Sequence, residues 1–200
     1  TNEPVFQAIG SRLPVTLAMI GVSIVLIAIV ATGLGMLAAT RRGWADRLVQ
    51  LGAVVGNAVP GFIIGVLLVW IFAIELGWLP AISQIAPGVS PAVWVASLTL
   101  PVIALVINGV ASAAQQIRSA FIKQLEMDYV RTLRSRGISE REILFKHVLR
   151  SAAPAGLSVL SLQFIAILGG VVIILSIFAT PGLGRLAVTA TDLEVELVAT

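Results

Sequence analysis

The chain of 200 residues has no cysteine, one histidine and one tyrosine, and charged residues make up only 12% of it. Each shortage excludes something. Without cysteine there are no disulfides and no thiolate metal sites. A soluble domain carries about 25% charged residues, and half that level leaves too few polar groups to cover a small globule. His147 has no second histidine or carboxylate at ligand spacing, so it reads as a surface polar residue and not as a metal ligand. Lysine is scarce too: Lys123 and Lys146 follow Ile122 and Phe145, which rules out a Gly-Lys-Ser/Thr phosphate loop. Paired carboxylates and Ser/His/Asp groupings are missing from the apolar stretches, so the chain is not expected to be an enzyme.

What is present is apolar. Hydrophobic residues make up 58% of the chain, and the mean hydropathy is +1.03. Four stretches carry no charge: Leu13–Thr40, Leu48–Ile74, Leu76–Ile117 and Ser151–Gly184, of 28, 27, 42 and 34 residues. A bilayer core of ~30 Å needs about 20 apolar residues in a helix. Each stretch is long enough to span. The third also holds the segment LGWLPAISQIAPGVSP (76–91), whose Pro, Gly and polar residues mark a loop. Spans are therefore expected near 13–39, 48–74, 92–117 and 152–178. Backbone groups inside a bilayer must pair internally, so the spans are helices and the fold class is all-α, a polytopic membrane helix bundle. Gly33-Leu-Gly35 and Gly52-x3-Gly56 are small-residue spacings that let helices approach closely.

Net charge is +3, and it is unevenly placed. Arg41, Arg42 and Arg47 lie in the first link, and eight basic residues from Arg118 to Arg150 lie in the third, leaving only Arg12 and Arg185 elsewhere. The positive-inside rule makes those two links cytoplasmic, the second as a loop of about 118–151. The 76–91 loop, flanked by Trp78 and Trp94, then faces outward, as do both ends of the chain. The chain begins Thr-Asn-Glu without a signal-peptide pattern. These features predict a fragment of one 1–200 membrane domain, with one further span on each side and six in all.

The basic link contains RTLRSRGISEREILFKHVLR (131–150). Ser139 followed by Glu142 is a capping box, and Ile138 with Ile143 has the spacing of a hydrophobic staple. Gly137, just before, suits a φ > 0 turn from one helix into the next. Ile143, Leu144, Val148 and Leu149 recur on one side, with Arg141, Lys146 and Arg150 largely elsewhere. The pattern predicts an amphipathic helix of about three turns over 138–150, held in a basic loop. Such a ridge suits a partner's groove; lying on anionic lipid is the plainer alternative. Reading DNA is excluded by membrane spans a few residues away on either side, and no nucleic-acid partner is expected.

The run DYVRTLRSRGISEREILFKHVLRSAAP (128–154) resembles the cytoplasmic signature loop of ABC-importer permeases of the dipeptide/oligopeptide/nickel class. Pro60 with its following span, Leu76-Gly77-Trp78-Leu79-Pro80 and Pro181-Gly182-Leu183-Gly184-Arg185-Leu186 extend the resemblance along nearly the whole chain. Where the wider group has Glu-Ala-Ala, this chain has Arg131, Thr132 and Leu133. The resemblance implies a multi-pass protein of the bacterial cytoplasmic membrane that imports peptides or a similar small solute. It implies a second permease forming a heterodimer, two ATPase subunits beneath, and an extracytoplasmic solute-binding protein. ATP and Mg would be used by those ATPases, with no cofactor bound here. It assigns ATPase coupling to Gly137, Ile138, Ser139, Glu140, Arg141, Glu142, Ile143, Leu144 and His147.

Ion-driven transporters usually carry ionisable groups at midplane. Here the span interiors hold only neutral polar groups such as Asn57, Asn108 and Gln163. That weakens the alternative of an ion-driven secondary transporter or channel subunit. The three residues are candidates either for the translocation path or for hydrogen bonds between helices. Pro60 and Pro101 are expected to kink their spans.

Overall fold

A computed structural model describes residues 5–41, 43–85 and 88–180. The chain runs through α1 (Val5–Thr40), α2 (Trp44–Ala58) and α3 (Gly61–Leu68), which passes into a π-helical segment, Val69–Glu75. After the 76–90 loop come α4 (Pro91–Leu125), α5 (Asp128–Ser135) and α6 (Glu140–Glu142). A second π-helical segment, Ile143–Val148, leads directly into α7 (Leu149–Ile177). No strand occurs among the described residues. Arg12–Thr40, Pro91–Leu125 and Glu140–Ile177 are each long and apolar enough to cross a membrane, whereas α2 and Gly61–Glu75 meet that test only when taken together. The protein is an all-α polytopic membrane protein.

Two expectations are corrected here. The span expected to run through 48–74 is broken at Val59–Pro60. Proline lacks the N–H that would continue the ladder, and it pushes the residue before it out of the α region. Pro60 instead caps α3, with φ −56° and ψ 138°, and its carbonyl accepts from the Ile63 N–H at 2.9 Å. Pro14, Pro101 and Pro154, by contrast, lie within α1, α4 and α7 without interrupting them. The second correction concerns 138–150. That segment is no separate helix in a loop but the first turns of the last long helix, Glu140–Ile177. α4 likewise continues past Ile117 to Leu125, so the basic link contracts to short turns on either side of α5. Loss of hydrophobicity marks where a helix leaves lipid; it does not end the helix.

The chain divides into two compact units. One contains α1 up to Ser23, residues Val59–Ile107 and α7 from Ala166. Its core includes Met19, Leu100, Ile174, Leu175 and Phe178. The 76–90 loop starts where Gly77 takes φ +63° and the Trp78 N–H donates to the Phe72 carbonyl at 2.9 Å. It is tied down by the Ser83 N–H to the Phe178 carbonyl at 3.0 Å and by the Gln84 N–H to the Ser97 hydroxyl at 3.1 Å.

The other unit holds α1 from Ile24, all of α2, α4 from Asn108, α5, α6 and α7 up to Ile165. Small residues dominate its buried positions, among them Ala31, Ala38, Ala53, Ala111, Ala113 and Ala114. Without a hydrophobic drive in lipid, helices gain by such close packing. Gly35 faces α4 so closely that a Cβ there would lie 2.9 Å from Ile117 Cγ2 and 3.1 Å from the Ala114 carbonyl. At Gly109 a Cβ would lie 2.3 Å from Ile27 Cδ1 and 3.0 Å from Gln163 Nε2. Gly33 and Gly52 face open space, whereas Gly35 marks a close crossing.

Candidate functional site

The basic link folds into a helical corner. α4 ends with a turn over Glu126–Met127, and the Tyr129 hydroxyl lies 3.3 Å from Gln124 Oε1. α5 then runs for two turns and buries Val130 completely. It stops at Gly137, where φ is +75°. The Gly137 N–H donates to the Arg134 carbonyl at 3.0 Å and the Ile138 N–H to the Leu133 carbonyl at 3.3 Å. These are the paired bonds of a Schellman turn, which satisfies the last free carbonyls of α5.

The next helix begins two residues later. The Ser139 hydroxyl accepts from the Glu142 N–H at 3.3 Å, as an N-cap does. The carboxylate of Glu142 takes its bond from Lys146 Nζ at 3.1 Å. Arg134 spans the turn: its Nε and Nη2 donate to Glu140 Oε1 and Oε2 at 2.6 and 3.0 Å. That carboxylate holds the Arg134 guanidinium above its ordinary range, so its charge is constant at any physiological pH.

The π segment explains an awkward spacing. Ile143 and Val148 are five residues apart, which in an α-helix separates them by about 140° around the axis. Both are nonetheless fully buried. The wider i→i+5 turn, closed by the Leu149 N–H on the Leu144 carbonyl, brings them to one side. α5 packs against this segment. Leu144 and His147 are half-buried beside it, Ile138 is half-buried at the turn, and Arg141 and Phe145 are exposed. Ser139, Arg141, Glu142 and Phe145 line an open depression of about 390 Å³.

Of the nine residues expected to act in coupling, eight are exposed or half-buried in this one corner and Ile143 is buried beneath them. Of the three neutral polar residues, Gln163 is buried, Asn108 half-buried and Asn57 exposed. Asn108 Nδ2 donates to the Gly56 carbonyl at 3.2 Å, an interhelical bond between α4 and α2. Gln163 is buried beside Gly109. Asn57 is exposed one residue from the end of α2, at the break and not in the middle of a continuous helix. Sequence reasoning missed Phe145 and Arg134. Phe145 was legible as the one aromatic among the charges of 131–150. The Arg134–Glu140 pair was not, because a spacing of six faces no partner on a single helix.

Residues 31–194 match the family described as the binding-protein-dependent transport system inner membrane component. The chain belongs to this family. It is accordingly an inner-membrane component of a bacterial transport system, and the family is one of membrane components and not of enzymes. A putative peptide transport system permease protein of Brucella abortus is 38% identical over 198 residues, covering 97% of this chain and 63% of that protein. A probable peptide ABC transporter permease of Sinorhizobium fredii is 36% identical over 193 residues, covering 95% and 61%. The glutathione transport system permease protein GsiC of Escherichia coli is 36% identical over 195 residues, covering 97% and 61%. The chain spans about three-fifths of the length of these curated relatives. Within this inner-membrane component, the family match takes in the whole corner and all three neutral polar residues. The Pro181–Leu186 motif lies outside the described residues.

Proposed function

We propose that this chain is part of the permease subunit of an ATP-driven importer, and that its helical corner is where the ATPases act. The permease works with a second, similar permease. Two ATPase subunits hydrolyse Mg-ATP on the side of the basic links, and an extracytoplasmic binding protein delivers the solute. The relatives named for peptide and glutathione transport support a short peptide or a similar small solute as cargo.

One observation carries the assignment of the corner: α5, the Gly137 turn and the start of the last helix are fastened by the Schellman bonds, the Ser139 cap and the two-pronged Arg134–Glu140 pair. A push on this surface reaches α7 without an intervening loop, because Glu140–Ile177 is one helical run. ATP-driven closure of the ATPases moves the corner as a lever, and the spans switch the path between inward and outward access. Phe145 and the depression beside it present an apolar anchor within a charged rim, the arrangement that protein grooves recognise. The positive-inside rule puts this surface in the cytoplasm.

Co-reconstitution of the full-length protein with its permease, ATPase and binding-protein partners tests the reading. Peptide uptake into vesicles should require ATP hydrolysis and all four kinds of subunit. Uptake by the permeases alone, driven by an ion gradient, would overturn it.

A further inference from the structure

Away from the corner, the same unit contains a second fastening, between α2 and α4. Arg118 donates from Nε to Asp46 Oδ1 and from Nη2 to Asp46 Oδ2, the latter at 2.7 Å. Asp46 lies in the first turn of α2, and Gln50 Nε2, one turn on, donates to its Oδ2 at 3.0 Å. The two side chains are only 20% and 16% exposed. The pair joins segments 72 residues apart, whereas the pairs Arg131–Asp128, Arg134–Glu140 and Lys146–Glu142 span three to six residues. A planar guanidinium gripping both carboxylate oxygens fixes orientation as well as distance.

Its position matters. At the same level of α4, Gly35 brings α1 to within van der Waals contact of Ile117 and the Arg118 backbone. One turn is thus gripped on two sides, by packing from α1 and by an ion pair from α2. Ten residues further on, the corner begins at Asp128. A displacement entering α4 from the corner meets this turn before it reaches the longer apolar part of the helix.

We propose that the Asp46–Arg118 pair is a positioning clamp that makes α2 move with α4 when the corner is driven. This rests on the corner being the point of ATPase action. The clamp touches neither solute nor nucleotide; it acts by carrying the motion of one helix into the next. A purely structural pair would lower the amount of assembled complex and leave uptake per ATP unchanged. A clamp lowers uptake per ATP in complex that has assembled.

The test uses the full-length protein in the reconstituted transporter, with peptide uptake and ATP hydrolysis read in the same vesicles and normalised to assembled complex. Asp46→Asn should leave hydrolysis near wild type and lower peptide taken up per ATP by roughly fivefold or more, the lower end of coupling between distant sites. The exchanged double variant Asp46→Arg with Arg118→Asp should restore much of that ratio. If Asp46→Asn fails to assemble, Arg118→Lys, which keeps the charge and loses the fork, should show the same loss in milder form. An unchanged ratio in the assembled single variants, or a double variant no better than either single, overturns the clamp while leaving the proposed function standing. A wild-type complex without ATP-dependent uptake overturns both.

Discussion

Arg134 reaches over the Gly137 turn and holds both carboxylate oxygens of Glu140, so the last turn of α5 and the first turn of the next helix are pinned together. Both side chains are substantially exposed, at 44% and 66%. Such pairs contribute little to folding, about 1 kcal/mol or less, and salt screens them. Arg134→Gln should therefore leave the thermal midpoint almost unchanged while weakening ATPase binding in a pull-down. A guanidinium raised above its ordinary range contributes fully below that range and loses its contribution only as pH rises through the raised value. Changes near neutral pH should not titrate Arg134, whereas high salt should imitate the variant.

Gly137 has φ +75° with nothing within 4 Å of where a Cβ would stand. Damage from a larger residue is then backbone strain and not a clash. Gly137→Val should cost ~1–3 kcal/mol at the turn and lower uptake per ATP, or weaken ATPase docking. Gly137→Asn, which tolerates the left-handed region, should be much milder. Equal damage from both would mean that side-chain bulk, and not φ, governs this position. Arg41→Ala, outside the corner, serves as the reference.

Ser139→Ala removes the bond accepted from the Glu142 N–H and should destabilise the start of the helix by about 1 kcal/mol. Glu142→Ala should cost less, since its carboxylate bonds Lys146 one turn away. Hydrogen exchange at 140–143 ranks the two; faster exchange in Glu142→Ala would contradict the order.

At Gly109 an added methyl would run into Ile27 Cδ1, while Gly52 faces open space. Gly109→Ala should lower stability in detergent by about 1–3 kcal/mol, the usual result of overpacking. Gly52→Ala should be neutral or slightly stabilising, because alanine favours the helix. Thermal unfolding of the two variants side by side checks the contrast.

The cysteine-free chain allows a direct test of sidedness. Ser90→Cys and Ser135→Cys, both at exposed positions, should label from opposite faces of the membrane, with Ser135→Cys reached from the cytoplasm. Ser90 is a better reporter than Ser83, whose hydroxyl is buried. Labelling of both from outside the cell would refute the orientation.

Much of this architecture was legible because lipid imposes a plain rule: a charge-free run of sufficient length becomes helix. The corner was legible for a different reason. Gly137, Ser139 and Glu142 signal a turn and a cap through local chemistry that needs no distant partner. The break at Pro60 was visible only as a kink, since no charged residue falls within 48–74 to mark an interruption. The continuity of 140–177 was hidden because basic residues suggested a loop where the backbone stays helical. Asp46–Arg118 and Asn108–Gly56 lie 72 and 52 residues apart, and no local pattern reports such pairings.

The π segment at Ile143–Val148 also works as an angular offset. It adds one residue to a turn, so everything before it is dialled around the helix axis by about 100° relative to an uninterrupted α-helix. The direction in which α5 and its charges face is therefore set by the wider turn that takes up that residue. Deleting one residue there, such as Lys146, would leave the helix unbroken and the apolar span untouched. With the extra residue gone, an ordinary α-turn would aim the corner in nearly its present direction, whereas the full-length segment held in α geometry would swing it about 100° away.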